Sequence, residues 1–130
     1  ELGLLGHSDA DAVLHALTDA LLGAIGEPDI GELFPNSDPR WRGAPSATFV
    51  AEAMRRVRAA GYRVGNADLA VLAERPKLSP HKLAIRTAIA GLLGVDVKAV
   101  GFKATTNEGM DAIGRGEAIA CHAVVLLVAT

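Results

Sequence analysis

Residues 6–26 read GHSDADAVLHALTDALLGAIG, and their spacing decides the fold. Ser8 ahead of Asp9 and Asp11 is a helix start, with a hydroxyl to cap exposed amides and acidic side chains at the positive end of the macrodipole. The helix is expected to run to Ile25 and stop before Gly26. Ala12, Val13, Leu14, Ala16, Leu17, Ala20, Leu21 and Leu22 make it apolar nearly all round, the pattern of a buried helix. Against that background Asp11, His15, Thr18 and Asp19 share one stripe. Polar groups on a buried helix need hydrogen bonds, ion pairs or a metal, and Asp11, four residues before His15, has the spacing to orient the imidazole. A satisfied core histidine and a ligand both fit His15 alone. His7, beside Ser8 and the exposed amides, tips the pair toward a site in which His7 and Ser8 meet a phosphate oxygen and His15 a Zn-type cation.

Outward from that helix, residues 27–45 are rich in Pro, Gly, Asn, Ser and Asp and read as an ordered loop anchored by Ile30, Leu33 and Phe34. Ser46 is the expected cap of a second helix to about Ala60. Phe49, Val50, Ala53, Met54 and Val57 lie on its core face, and Arg55, Arg56 and Arg58 on a solvated one. Tyr62 to Ala73 reads as a strand, His81 to Leu93 as a third helix ended by Gly94, Val100 to Ala104 as a short strand, and Ala118 to Val128 as a long one. The near-continuous hydrophobicity of the last strand predicts burial on both faces, in a sheet interior or at a subunit contact. The expected fold is therefore α+β: a mixed β-sheet with about three helices on one face, in a single domain over residues 1–130. Self-association is the simplest cover for the other face.

Composition narrows the function classes. A chain of 130 residues with 50% hydrophobic content can fill one core. Only 4% of it is aromatic, which argues against a nucleic-acid reader built on stacking. The net charge of -2, from 13 basic and 15 acidic residues spread along the chain, gives no global field for DNA or an anionic membrane. Cys121, the single cysteine, sits in an apolar run and reads as a small buried side chain. The apolar runs are short for a bilayer and the first residues resemble no targeting peptide, so a soluble, cytoplasmic location is the expectation.

Two further clusters carry chemistry. Lys103, Ala104, Thr105, Thr106, Asn107 and Glu108 leave a strand and enter a Gly-containing loop that ends at Arg115. Hydroxyls, a carboxylate and a guanidinium suit phosphoryl transfer, with Thr105, Thr106 and Glu108 fitting a phosphate and Mg site. Ala73, Glu74, Arg75, Pro76, Lys77, Leu78, Ser79 and Pro80 form a two-proline loop. It is either a tight strand-to-helix connection or a rigid edge that reads a base while Lys77 meets an anion.

In order and spacing, GHSDADAVLHALTDALLGAIG, PDIGELFPNSDP, AERPKLSP, FKATTNE and GRGEAIA resemble the 2-C-methyl-D-erythritol 2,4-cyclodiphosphate synthase family across essentially the whole chain. The resemblance implies intramolecular phosphoryl transfer on 4-diphosphocytidyl-2-C-methyl-D-erythritol 2-phosphate, releasing CMP, in non-mevalonate isoprenoid precursor synthesis. It implies a homotrimer with active sites between subunits and, as occurs among relatives, fusion or association with a cytidylyltransferase. His15 would be a zinc ligand, and His7 and Thr106 would stabilise the transition state. His7 and Ser8 would bind substrate, while Thr105 and Glu108 would hold the diphosphate with its Mg or Mn, beside Asn107. Ala73 through Ser79 would form the cytidine pocket, with Lys77 at its phosphate side. Asp29, Ile30 and Gly31 would meet the erythritol moiety, with Phe34, Pro35, Asn36, Ser37 and Asp38 around it, and Arg115 would point toward the trimer axis.

The sequence also departs from that family. The family begins with an Asp-x-His motif on a first strand that supplies two more zinc ligands, and the present sequence starts after it; the expectation is that this strand exists in the natural protein. Asn36 stands where the family usually has Asp, Asn107 where it has a third Thr, and Ala112 near a family aromatic that lines the axial cavity, a place where isoprenoid diphosphates could bind. The main rival is a non-catalytic trimeric nucleotide-binding protein without zinc; a metal-dependent phosphohydrolase, with water as the attacking group, is a further one.

Overall fold

The computed structural model describes residues 7–73, 81–105, 110–114 and 119–130, apart from the side chains of residues 7–10, 112 and 114. Helix α1 spans His7–Ala24. Val13, Leu14, Leu17, Leu21 and Leu22 on it are buried, each contributing about 2 kcal/mol relative to exposure. The helix begins one residue before the predicted cap, which places Ser8 inside the first turn. The loop that follows contains a short helix, α2 (Ile30–Leu33), capped by the Asp29 carboxylate, which accepts a hydrogen bond from the Glu32 amide at 3.1 Å. Helix α3 is Ser46–Ala59. Its N-cap is Pro45, not Ser46, because the Ser46 hydroxyl turns toward α1 and donates to Asp11 Oδ1 at 2.6 Å.

Strand β1 (Tyr62–Leu72), helix α4 (Lys82–Leu93), strand β2 (Val100–Thr105), helix α5 (Asp111–Gly114) and strand β3 (Ala120–Ala129) complete the described elements. A 3-10 turn at Val97–Ala99 leads into β2. The strands form a mixed sheet in the order β2-β1-β3, with β1 parallel to β2 and antiparallel to β3. A parallel pair needs a crossover, and α4 supplies it. Helix α1 lies against β3, α3 against β1 and α4 against β2, so the three longer helices cover the sheet face that carries Ala67, Leu69, Val71, Val100 and Phe102. Helix α4 stops where Gly94 takes a φ of 70°, the left-handed conformation that ends a helix at little cost in glycine. Register in β1 shifts at Gly65, where a Cβ would stand 2.8 Å from Val128 Cγ2.

β3 is an edge strand among the described residues, and its burial alternates. Cys121, Ala123, Val125 and Leu127 pack on the core, while Val124 and Leu126 are 70% and 57% exposed on the other face. Among the described residues, β3 thus has one face on the core and the other exposed. The arginines of α3, against expectation, are not a uniform solvated face. Arg56 is half-buried, bridges Glu52 Oε2 at 3.0 Å and Glu27 Oε1 at 2.7 Å, and lies over the Phe34 ring. No described helix is long and apolar enough to cross a membrane.

Candidate active site

The stripe on α1 is built as its spacing requires. Thr18 is fully buried and satisfied within the helix, its hydroxyl donating to the Leu14 carbonyl at 2.7 Å. Of the three ionisable members, Asp11 bonds to a residue outside the stripe, while His15 and Asp19 pair with each other. Asp11 takes the Ser46 hydroxyl. The His15 side chain is 60% exposed, and the carboxylate paired with it is that of Asp19, whose Oδ2 lies 3.3 Å from Nε2. Asp19, not Asp11, is thus placed to orient the imidazole, because the i,i+4 contact forms toward the helix C-terminus while Ser46 engages the carboxylate one turn earlier. Asp19 Oδ1 also accepts the Ile30 amide at 3.0 Å, tying α1 to the turn that holds Asp29, Ile30 and Gly31.

These groups border two hollows. One, of about 220 Å³, is lined by Asp11, His15, Thr18, Ile30, Ser46 and Phe49. The other, about 480 Å³ and more open, is lined by Asp11, His15, Asp19 and Cys121 with two alanines. Cys121 pairs with Val71, two residues before Ala73, so the stripe lies at the end of the sheet where β1 and β2 finish. There the Ala73 amide donates to the Thr105 carbonyl at 3.0 Å, which brings the starts of two predicted binding loops side by side. Polar groups gathered at the carboxyl ends of parallel strands are where ligands enter open sheets.

The loop between Phe34 and Asp38 is held from beneath. Phe34 is 4% exposed and packs on Trp41 and Phe49 at centroid distances of 4.7 and 5.2 Å, so its part is to anchor the loop. Pro35, Asn36 and Ser37 follow it, and the Asn36 carbonyl accepts from Arg42 Nε at 3.0 Å. The Arg40 guanidinium, hydrogen-bonded to Asp38, holds that carboxyl below its ordinary range. Trp41 Nε1 is buried without a hydrogen-bond partner among the described residues.

Several predicted site residues lie outside the described residues: Glu74, Arg75, Pro76, Lys77, Leu78, Ser79, Thr106, Asn107, Glu108 and Arg115. His7 and Ser8 are placed only as the first turn of α1, and Ala112 only as a position on α5. Among the described residues no three His, Cys, Asp or Glu side chains gather to hold a metal. What is present fits one imidazole ligand backed by a carboxylate, the usual support of a metal-bound histidine. Burial pushes the Cys121 thiol up to about 11, so this neighbour of the hollow is protonated at neutral pH and suits packing, not ligation. Sequence reasoning missed the parts played by Ser46 and Asp19. Asp19 lies as far after His15 as Asp11 lies before it, so spacing alone does not choose between them.

Fold and site define an α+β domain whose polar stripe and hollows gather at the carboxyl ends of a parallel strand pair. The chain belongs to the YgbB family, whose model matches residues 1–128. It is 51% identical over 126 residues to the chloroplastic 2-C-methyl-D-erythritol 2,4-cyclodiphosphate synthase of Catharanthus roseus, covering 97% of this chain and 53% of that one. It is 53% identical over 126 residues to the bifunctional enzyme IspD/IspF of Novosphingobium aromaticivorans, covering 97% of this chain and 33% of that one. The chain therefore spans about half the length of the plant relative and a third of the bifunctional one. Among solved structures it is similar to a 2C-methyl-D-erythritol-2,4-cyclodiphosphate synthase in its CDP-bound form. The TM-score is 0.86 at 46% identity, over 95% of this chain and 80% of that one.

Proposed function

We propose that this chain carries the 2-C-methyl-D-erythritol 2,4-cyclodiphosphate synthase activity for which its relatives are named. An oxygen of the substrate's 2-phosphate forms a bond to the phosphorus attached at position 4. The bond from that phosphorus to the bridging oxygen breaks, and the bridging oxygen leaves on CMP. Both remaining phosphates stay on the erythritol as the cyclic diphosphate. The observation that carries this reading is the joining of the Asp29–Gly31 turn to the imidazole-bearing stripe through Asp19, at the sheet end where Ala73 and Thr105 meet.

In this reading Asp29, Ile30 and Gly31 hold the erythritol moiety, and the loop through Asn36, Ser37 and Asp38 closes beside it. The segment from Ala73 to Ser79 takes the cytidine, with Lys77 on its phosphates. His7, Ser8, Thr105 and Thr106 donate to phosphate oxygens, and His7 and Thr106 donate most strongly as charge spreads over the transferring group. Zinc held by His15 with ligands outside the described residues, and Mg or Mn held by Glu108 with the diphosphate, would supply positive charge to those oxygens. A homotrimer is supported by the open apolar face of β3, and fusion to a cytidylyltransferase by the bifunctional relative. No observation favours a binding-only protein.

The test is phosphorus NMR of the natural full-length chain incubated with 4-diphosphocytidyl-2-C-methyl-D-erythritol 2-phosphate and Mg. Cyclic diphosphate and CMP in equal amounts are expected. Inorganic phosphate or a ring-opened product in their place would identify a hydrolase, and unchanged substrate would leave only binding.

A further inference from the structure

We infer that Asp19 is a positioning residue that couples the metal ligand to the substrate-binding turn, an inference that rests on the synthase reading. Its carboxylate is the only described group that touches both: Oδ1 accepts the Ile30 amide at 3.0 Å and Oδ2 stands 3.3 Å from His15 Nε2. The amide is a fixed donor, because it belongs to the first residue of α2 and has no partner within that helix. The Asp29 carboxylate is engaged with the Glu32 amide. Asp11, the other carboxylate of the stripe, takes the Ser46 hydroxyl.

The pairing has a chemical consequence for the imidazole. A neutral ring has one N–H and one lone pair, and the partner of one nitrogen sets the other. A carboxylate facing Nε2 keeps the proton there and leaves Nδ1 with the lone pair, so Nδ1 is the atom offered to a metal. The same carboxylate fixes the Ile30 amide and with it the flanking Asp29 and Gly31. Movement of the erythritol-holding turn therefore pulls on the metal ligand, and the converse.

Asparagine at position 19 can accept a hydrogen bond from one of the two partners but not from both. With its amide oxygen on the Ile30 N–H, its NH2 group faces Nε2, so Nε2 must accept and the proton moves to Nδ1. Asp19→Asn in the natural full-length chain is expected to weaken zinc binding about 10- to 100-fold, read by competition with a chelator. The unfolding temperature of the zinc-free protein should stay where it was, which a purely structural role would not predict. Asp19→Ala, which loses both contacts, is expected to raise KM for the substrate as well, even with zinc saturating. Unchanged zinc affinity in Asp19→Asn overturns the inference. A wild-type chain that binds no zinc overturns the synthase reading itself, so the two failures are distinct.

Discussion

His15 is the described side chain on which most of the proposed chemistry rests, because it is an exposed imidazole on a helix whose opposite face is buried in the core. His15→Ala should lower zinc content and turnover together, whereas His7→Ala should lower turnover with zinc retained, since a ligand and a phosphate donor fail differently. Elemental analysis beside kinetics reads both, and full zinc occupancy in His15→Ala would remove the ligand assignment. A second residue-scale expectation concerns Glu52. Hydrogen bonds from Arg55 and Arg56 lower its carboxyl from an ordinary 4.5 to about 2. A lowered folded pKa adds stability that is complete above the unfolded value and lost as the folded carboxylate protonates. The urea midpoint should therefore fall as pH drops from about 4.5 toward 2, and Glu52→Gln should flatten that part of the curve while lowering the plateau. An unchanged slope in the variant would mean the acid loss comes from other groups.

At the scale of elements, α4 ends because Gly94 adopts a φ of 70° with open space around its Cα. Gly94→Ala should cost about 1 kcal/mol from backbone strain alone, since an added Cβ meets nothing. Equal denaturant midpoints for the two proteins would show that the C-cap relaxes. This helix was legible because its stop signal is local: a glycine directly after the periodic run. The start of α3 was not. Ser46 has the chemistry of a cap, but its hydroxyl finds Asp11, 35 residues away, and no local pattern reports that. The short helix α2 was read as loop because four residues give no period to detect, although Ile30, Leu33 and Phe34 were correctly placed as anchors. In β3 the strand itself was plain, but both faces are apolar, so alternation did not reveal that one face stays open.

For the whole molecule, that open face is where a second copy is expected to pack. Val124→Asp sets a charge on it without touching the core side of β3, and should leave far-UV circular dichroism intact while shifting mass by light scattering from trimer to monomer. A trimeric variant with native activity would place the subunit contact elsewhere. The mixed sheet and its helical layer followed from hydrophobic spacing, and the stripe on α1 from the cost of polar groups on a buried helix. The choice of Asp19 over Asp11, and the meeting of Ala73 with Thr105, depend on contacts between segments far apart in sequence.

The aromatic cluster under the loop at residues 34–38 has an optical consequence. Trp41 is the chain's one tryptophan, packed against the stacked Phe34 and Phe49 rings with its indole N–H shielded from solvent. Its fluorescence therefore comes from a single place, directly beneath the segment that would close over the erythritol. A red shift without loss of helical signal would register that loop lifting away while the rest of the fold stays intact.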